Sequence, residues 1–160
     1  MNHSEYMYAV AAGHWPEDPL VPPPEQNLET LPRGIDNVCQ PDHEGPMFGG
    51  AAIIDSHAGQ IRSNHYHLTD WHFLRVISGT MVYLWRPARS AADPSSLVVR
   101  PGGTVFTPPE VEHLCYFPEG ASVLSLSRLS RRTGEHEADL VRVRPLAAPA
   151  RLREIYMVQR

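Results

Sequence analysis

The chain of 160 residues has no lysine; all 14 of its basic side chains are arginines. Schiff-base and pyridoxal chemistry, which need a side-chain amine, are therefore excluded. Cysteine is nearly as scarce. Cys39 and Cys115 are the only two, too few for a disulfide framework or a thiolate-rich zinc site. Long apolar runs are missing too: no window approaches the ~18 unbroken apolar residues of a membrane helix. The opening "MNHSEYMYAVAAGHWPEDPL" lacks a basic region ahead of an apolar run, so no secretory leader is expected and the cytoplasm is the expected location. There is no P-loop, no Gly-x-Gly-x-x-Gly fingerprint and no Ser-His-Asp arrangement in sight.

Charge is unevenly placed. Residues 1–60 carry nine acids against Arg33, and residues 61–160 carry nine acids against thirteen arginines. The arginines are dispersed, the pI is near 6.1, and no aromatic-basic interleaving occurs, so a nucleic-acid partner is not expected. The uneven charge reads as solvated surface and contacts between an acidic arm and a basic body.

Proline (16) and glycine (11) are plentiful, favouring many turns and short strands. "WPEDPLVPPPEQNLETLPRG" holds six prolines, and each restrains the residue before it to extended backbone. Residues 1–46 therefore read as an irregular arm. From Met47 short β-prone runs alternate with turns: "MFGGAAIID", "IRSNHYH", "WHFLRVI", "MVYLWRP", "LVVR", "TVFTP", "EHLCYF", "ASVLSLSRLS" and "ADLVRVRPL". Eight or nine strands so spaced predict an antiparallel sandwich or barrel over 47–145. Residues 146–160 read as a C-terminal tail, and "RLREIYMVQR" and the arm are candidate docking segments.

Nine histidines is a high count, and "NHYHLTDWHF" concentrates three of them. In a strand His65 and His67 share a face about 6.6 Å apart, and both imidazoles can reach one ion at about 2.0–2.1 Å. Tyr66 points away. His72 opens the next strand and can turn back toward the same point, with Leu74 and Val76 on its face. His113 opens "HLCYF", with Cys115 and Phe117 on its face. Four such rings inside a β-barrel are costly to bury unless something satisfies their nitrogens, and a metal does so. His3, His14, His43, His57 and His136 read as ordinary core or surface histidines. Arg62, Asn64, Tyr66 and Arg75 have outward parity in a simple strand, while Tyr83 and Trp85 suit an inter-sheet core.

"GQIRSNHYHLTDWHFLRVISG" and "GGTVFTPPEVEHLCYF" together resemble the two motifs of the cupin superfamily. Gly59, His65, His67 and Gly79 fall in register with the first, with His72 where a glutamate usually sits. Gly102, Pro108 and His113 fall in register with the second, where Glu110 replaces a glycine and Phe117 an asparagine. Glu110 suggests that the turn there avoids positive φ. The resemblance spans about 47–130 and implies an all-β double-stranded β-helix, or jelly-roll barrel, a homodimer, and one divalent metal per subunit. The expected ligands are His65, His67, His72 and His113, and the expected pocket residues are Leu74, Val76, Cys115 and Phe117. Imidazole sites accept Fe, Mn, Zn, Ni, Co or Cu. With four neutral ligands the ion keeps its full charge, favouring anionic, chelating small molecules.

The main functional expectation is an oxygenase acting on a metal-chelated enol, catechol or keto-acid. Two alternatives stay open: non-redox Lewis-acid chemistry (isomerase, lyase or polyketide-type cyclase) and a ligand-binding or regulatory barrel. Fold alone does not choose among them.

Overall fold

The computed structural model describes residues 50–129 and 134–160. The arm, with Cys39, His3, His14 and His43, lies outside the described residues. Nine strands occur among those described: β1 (Gly50–Ser56), β2 (Gln60–His67), β3 (His72–Gly79), β4 (Met81–Pro87), β5 (Ser95–Val99), β6 (Thr104–Thr107), β7 (Val111–Phe117), β8 (Ala121–Ser127) and β9 (Leu140–Arg142). Two helices occur among the described residues, α1 (Glu135–Ala138) between β8 and β9 and α2 (Pro149–Gln159) after β9.

The strands form two antiparallel sheets, ordered β1-β8-β3-β6 and β5-β4-β7-β2-β9. Their facing surfaces enclose a core of Leu74, Val76, Met81, Tyr83, Trp85, Val105 and Val123. This is an antiparallel barrel, as the strand spacing predicts, and of the jelly-roll type that the cupin resemblance implies. Tyr83 and Trp85 take the inter-sheet positions.

β4 reads "MVYLWRP", and its first five residues are all buried. Such an unbroken apolar run belongs to a strand covered on both faces. Met81, Tyr83 and Trp85 point into the barrel. Val82 and Leu84 point outward, where α2 covers them with Leu152, Ile155 and Tyr156. Those three residues sit at i, i+3 and i+4, one face of a helix, and Pro149 occupies the first turn, where a missing N–H costs nothing. The segment expected as a tail is thus helical from Pro149 and packed on the larger sheet. No helix among the described residues is long and apolar enough to cross a membrane.

Two turn residues matter to the barrel mouth. Gly79 adopts φ 77°, and a Cβ there would run into the Gly120 carbonyl oxygen, so only glycine fits. Glu110 adopts φ 58°, against the expectation that it avoids positive φ. Two backbone hydrogen bonds fix it there: the Glu110 N–H donates to His67 O at 2.7 Å, and the Ala88 N–H donates to Glu110 O at 2.8 Å. They offset the ~1–2 kcal/mol that left-handed backbone costs an L-residue, and they tie the β6–β7 turn to the end of β2.

Candidate functional site

The two sheets bring His65, His67, His72 and His113 into one cluster. His65 and His67 lie on β2 and His113 on β7, where His65 is paired directly with His113. His72 opens β3 on the opposite sheet, paired with Thr107 and Ser127. Ring centroids are 4.6 Å apart for His65–His113, 4.8 Å for His72–His113, 4.9 Å for His65–His67, 5.6 Å for His67–His72 and 6.3 Å for His67–His113. Imidazoles bound to a common ion at ~2.0–2.1 Å keep centroids roughly 4.5–6.4 Å apart, so the ring spacing fits a shared ion.

The chemistry of the rings fits as well. Burial lowers the His113 pKa to about 3 against the bond to the Val111 carbonyl, which raises it, and His67 and His136 add smaller lowering contributions. Burial and the neighbouring His113 and His67 lower His65 to about 2, and burial with His136 lowers His67. These three rings are therefore neutral near pH 7, the form that ligates metals. His113 Nδ1 lies 3.1 Å from the Val111 carbonyl. A carbonyl only accepts, so Nδ1 carries the proton and Nε2 keeps its lone pair. Both nitrogens of His67 and Nε2 of His113 are buried without a hydrogen-bond partner.

The nitrogens are not all turned to one point, however. Among the described residues, the group of three ligand atoms lying within 4.8 Å of one another is His67, Asp70 and His136. Binding by all four histidines requires the rings to reorient about positions they already hold.

A cavity of about 190 Å³ opens beside the cluster. His65 and His72 reach its wall, with Leu74, Cys115 and Phe117, and His67 and His113 do not line it. Val76 does not line the cavity. It sits deeper, where its N–H donates to Gly103 O and its carbonyl accepts from Gly102 N–H, and its side chain joins the apolar core. Burial pushes the Cys115 thiol up to about 12, outweighing the Ser63 and Arg62 contacts that lower it, so this cysteine is a packing group and not a thiolate nucleophile.

Arg62 corrects a simple strand reading. Ser63 and Asn64 adopt φ 73° and 61°, and between Ser63 and His65 the β2–β7 register shifts by one residue. This bulge reverses side-chain parity upstream, so Arg62 and Ser63 line the cavity while Ile61 packs with the outer, helix-covered face. Arg142 of β9 lines the same cavity, beside Glu137 at 3.8 Å.

Three further residues build the floor of the site. The Asp139 carboxylate accepts from the Thr69 and Asp70 N–H groups and the Thr69 hydroxyl at 2.8–3.1 Å, pinning the β2–β3 turn. Those bonds outweigh its burial and hold its carboxyl below the ordinary range. Its Oδ2 also lies 3.4 Å from His67 Nδ1. Asp70, fully buried, accepts from the Leu129 N–H at 3.0 Å and from His136 Nδ1–H at 2.8 Å. His136 on α1 is indeed a hydrogen-bonded core histidine, yet it also lines the cavity, with its ring 4.5 Å from that of His67.

Neither a family model nor a curated protein matches the sequence. Solved structures do. The capsular polysaccharide assembling protein CapF from Staphylococcus aureus aligns with a TM-score of 0.55 at 17% identity, over 64% of this chain and 28% of CapF. QdtA, a 3,4-ketoisomerase from Thermoanaerobacterium thermosaccharolyticum solved in complex with TDP, aligns at 0.51 and 17% identity over 61% of this chain and 67% of its own. The fold is a cupin-type jelly roll. WlaRA, a TDP-fucose-3,4-ketoisomerase from Campylobacter jejuni, shares it at a TM-score of 0.50 and 16% identity, over 65% of this chain and 75% of WlaRA. The chain thus spans little more than a quarter of the length of CapF, and cupin-type barrels of this kind occur in proteins described as sugar 3,4-ketoisomerases.

Proposed function

We propose that this cupin-type barrel is a non-redox enzyme that binds one divalent transition metal through His65, His67, His72 and His113 and rearranges a small, anionic carbonyl compound. The observation that carries the reading is a cluster of four imidazoles, three of them held neutral by burial and its surroundings, against a ring-sized cavity flanked by Arg62 and Arg142. A cavity of ~150 Å³ accommodates benzene, so about 190 Å³ suits a single six-membered ring or a short keto-acid.

When bound, a divalent ion would supply Lewis-acid polarisation of a carbonyl oxygen. The chain's own residues do the rest. Arg62 and Arg142 hold the anionic group at the rim. Leu74 and Phe117 keep water from the inner wall, and Cys115 contributes apolar volume as a thiol.

Non-redox chemistry is favoured over oxygenase chemistry because QdtA and WlaRA, which share this fold, are described as 3,4-ketoisomerases. The oxygenase expectation finds no support among these neighbours. Ketoisomerisation displaces a proton from carbon beside a carbonyl and involves no net electron transfer. The homodimer and the small-molecule partner belong to the same proposal.

The test is proton exchange without oxygen consumption. Metal-loaded protein is incubated in D₂O with a panel of small keto-acids and keto-sugars, and deuterium at the α-carbon is followed by NMR beside an oxygen electrode. Deuterium incorporation with a flat oxygen trace is the expected result. Oxygen uptake by the iron-loaded form with any of these compounds, or with a catechol, would overturn the assignment.

A further inference from the structure

We propose a second cation seat, built from His67, Asp70 and His136, of which only His67 is a position of the two sequence motifs. It takes a first-row divalent metal ion on two imidazoles and one carboxylate, a donor set suited to such ions. The three come from separate elements: the end of β2, the β2–β3 turn and helix α1. Their ligand atoms all lie within 4.8 Å of one another. Asp70 Oδ2 and His136 Nδ1 share a hydrogen bond of 2.8 Å. An ion seated there replaces that bond, the His136 proton moving to Nε2, and needs little change from this separation to reach the roughly 3 Å that two ligands keep on one ion at ~2.0–2.1 Å.

His67 supplies the independent observation. It is 2% exposed; its Nε2 lacks a hydrogen-bond partner, and its Nδ1 has only the Asp139 carboxylate, 3.4 Å away. A buried imidazole with a nitrogen left unsatisfied is costly. Its ring is near both sets: the centroids of His65, His72 and His113 are 4.9, 5.6 and 6.3 Å away and that of His136 is 4.5 Å away, and its nitrogen lies within 4.8 Å of the ligand atoms of Asp70 and His136. An ion on the Asp70 side gives one of those nitrogens a partner that the protein does not provide. The Asp139 carboxylate, 3.4 Å from His67 Nδ1, steadies the ring from the turn it pins.

The two seats differ in charge. With Asp70 ionised the second seat leaves a divalent ion at +1, whereas four imidazoles leave it at +2. A neutral imidazole has one lone pair. The second seat therefore fills alone, or fills together with the four-histidine cluster only with His67 as the imidazolate, its proton released to solvent.

The test counts ions. The full chain is stripped with chelator and dialysed against Zn²⁺, and zinc is measured by elemental analysis in wild type, Asp70→Asn, His136→Gln and His65→Gln. Asp70→Asn and His136→Gln should each lose one equivalent or bind it about tenfold or more weakly, while His65→Gln keeps that ion. Wild-type zinc content and affinity in both Asp70→Asn and His136→Gln would overturn the seat, as would a wild type that takes up no zinc. If His65→Gln alone loses metal, the seat fails and the four-histidine assignment stands; loss confined to Asp70→Asn and His136→Gln does the reverse.

Asp70 also accepts from the Leu129 amide, and its replacement can unfold the chain, so a second measurement uses Co²⁺. Hyperfine-shifted exchangeable imidazole N–H signals of the Co²⁺-loaded wild type should decrease by one in folded His136→Gln. An unchanged set of signals rules the seat out.

Discussion

Acid should destabilise the metal-free protein well above the range in which carboxylates titrate. His113 is fully buried, and its pKa falls from the ordinary 6.5 to about 3. The unfolded chain therefore takes up a proton near pH 6.5 that the folded chain refuses. Stability is full above pH 6.5 and declines as pH falls toward 3, because the unfolded state binds more protons throughout that window. Between pH 6.5 and 4.5 the single ring removes about 2–3 kcal/mol, at ~1.4 kcal/mol per pH unit. For a chain of this size that lowers Tm by roughly 5–10 °C. His65 and His67 act with the same sign, and Asp139, held below its ordinary value, adds a further loss only at lower pH. The assay is thermal melting by circular dichroism in chelator at pH 7.5, 6.5, 5.5 and 4.5, with His113→Gln beside the wild type. The variant should show a shallower dependence over the same interval. A wild-type Tm that stays constant to pH 4.5, or equal slopes for both proteins, would refute the buried neutral ring.

Two further outcomes follow from packing. Leu152→Ala, which empties a fully buried position between α2 and the larger sheet, should cost about 2–5 kcal/mol in urea unfolding and leave metal content unchanged; a cost below 1 kcal/mol would mean that α2 is not docked there. Gly79→Ala forces a Cβ against the Gly120 carbonyl at positive φ and should lower Tm by more than Gly59→Ala, whose Cβ meets nothing within 4 Å; equal melting points would show that the two turns are not so constrained.

The barrel was legible because its signals are local and repeated. Short runs between turn residues marked every strand, and His-x-His parity placed His65 and His67 on a common face. Strand order and sheet membership then followed from antiparallel pairing that no single run encodes. α2 was missed because its inward stripe is only Leu152, Ile155 and Tyr156, set among three arginines and a glutamate in "RLREIYMVQR". The apolar outer face of β4 was the available clue that something had to cover it. Arg62 was misassigned because a bulge breaks period-two parity; adjacent Ser63 and Asn64, residues tolerant of left-handed backbone, were its faint trace. Asp70, His136 and Asp139 carry no periodic signal. They meet through hydrogen bonds between residues nearly seventy positions apart, a closure that depends on where β9 and α1 come to rest.

His67 belongs to both ligand sets, so His67→Gln tests the account most directly. Purified full-length wild type, stripped and dialysed against Zn²⁺, should retain at least one equivalent of ion through gel filtration, and folded His67→Gln should retain none. A wild type without bound metal, or a His67→Gln protein with the full wild-type content, would contradict the claim that this histidine cluster is a metal centre.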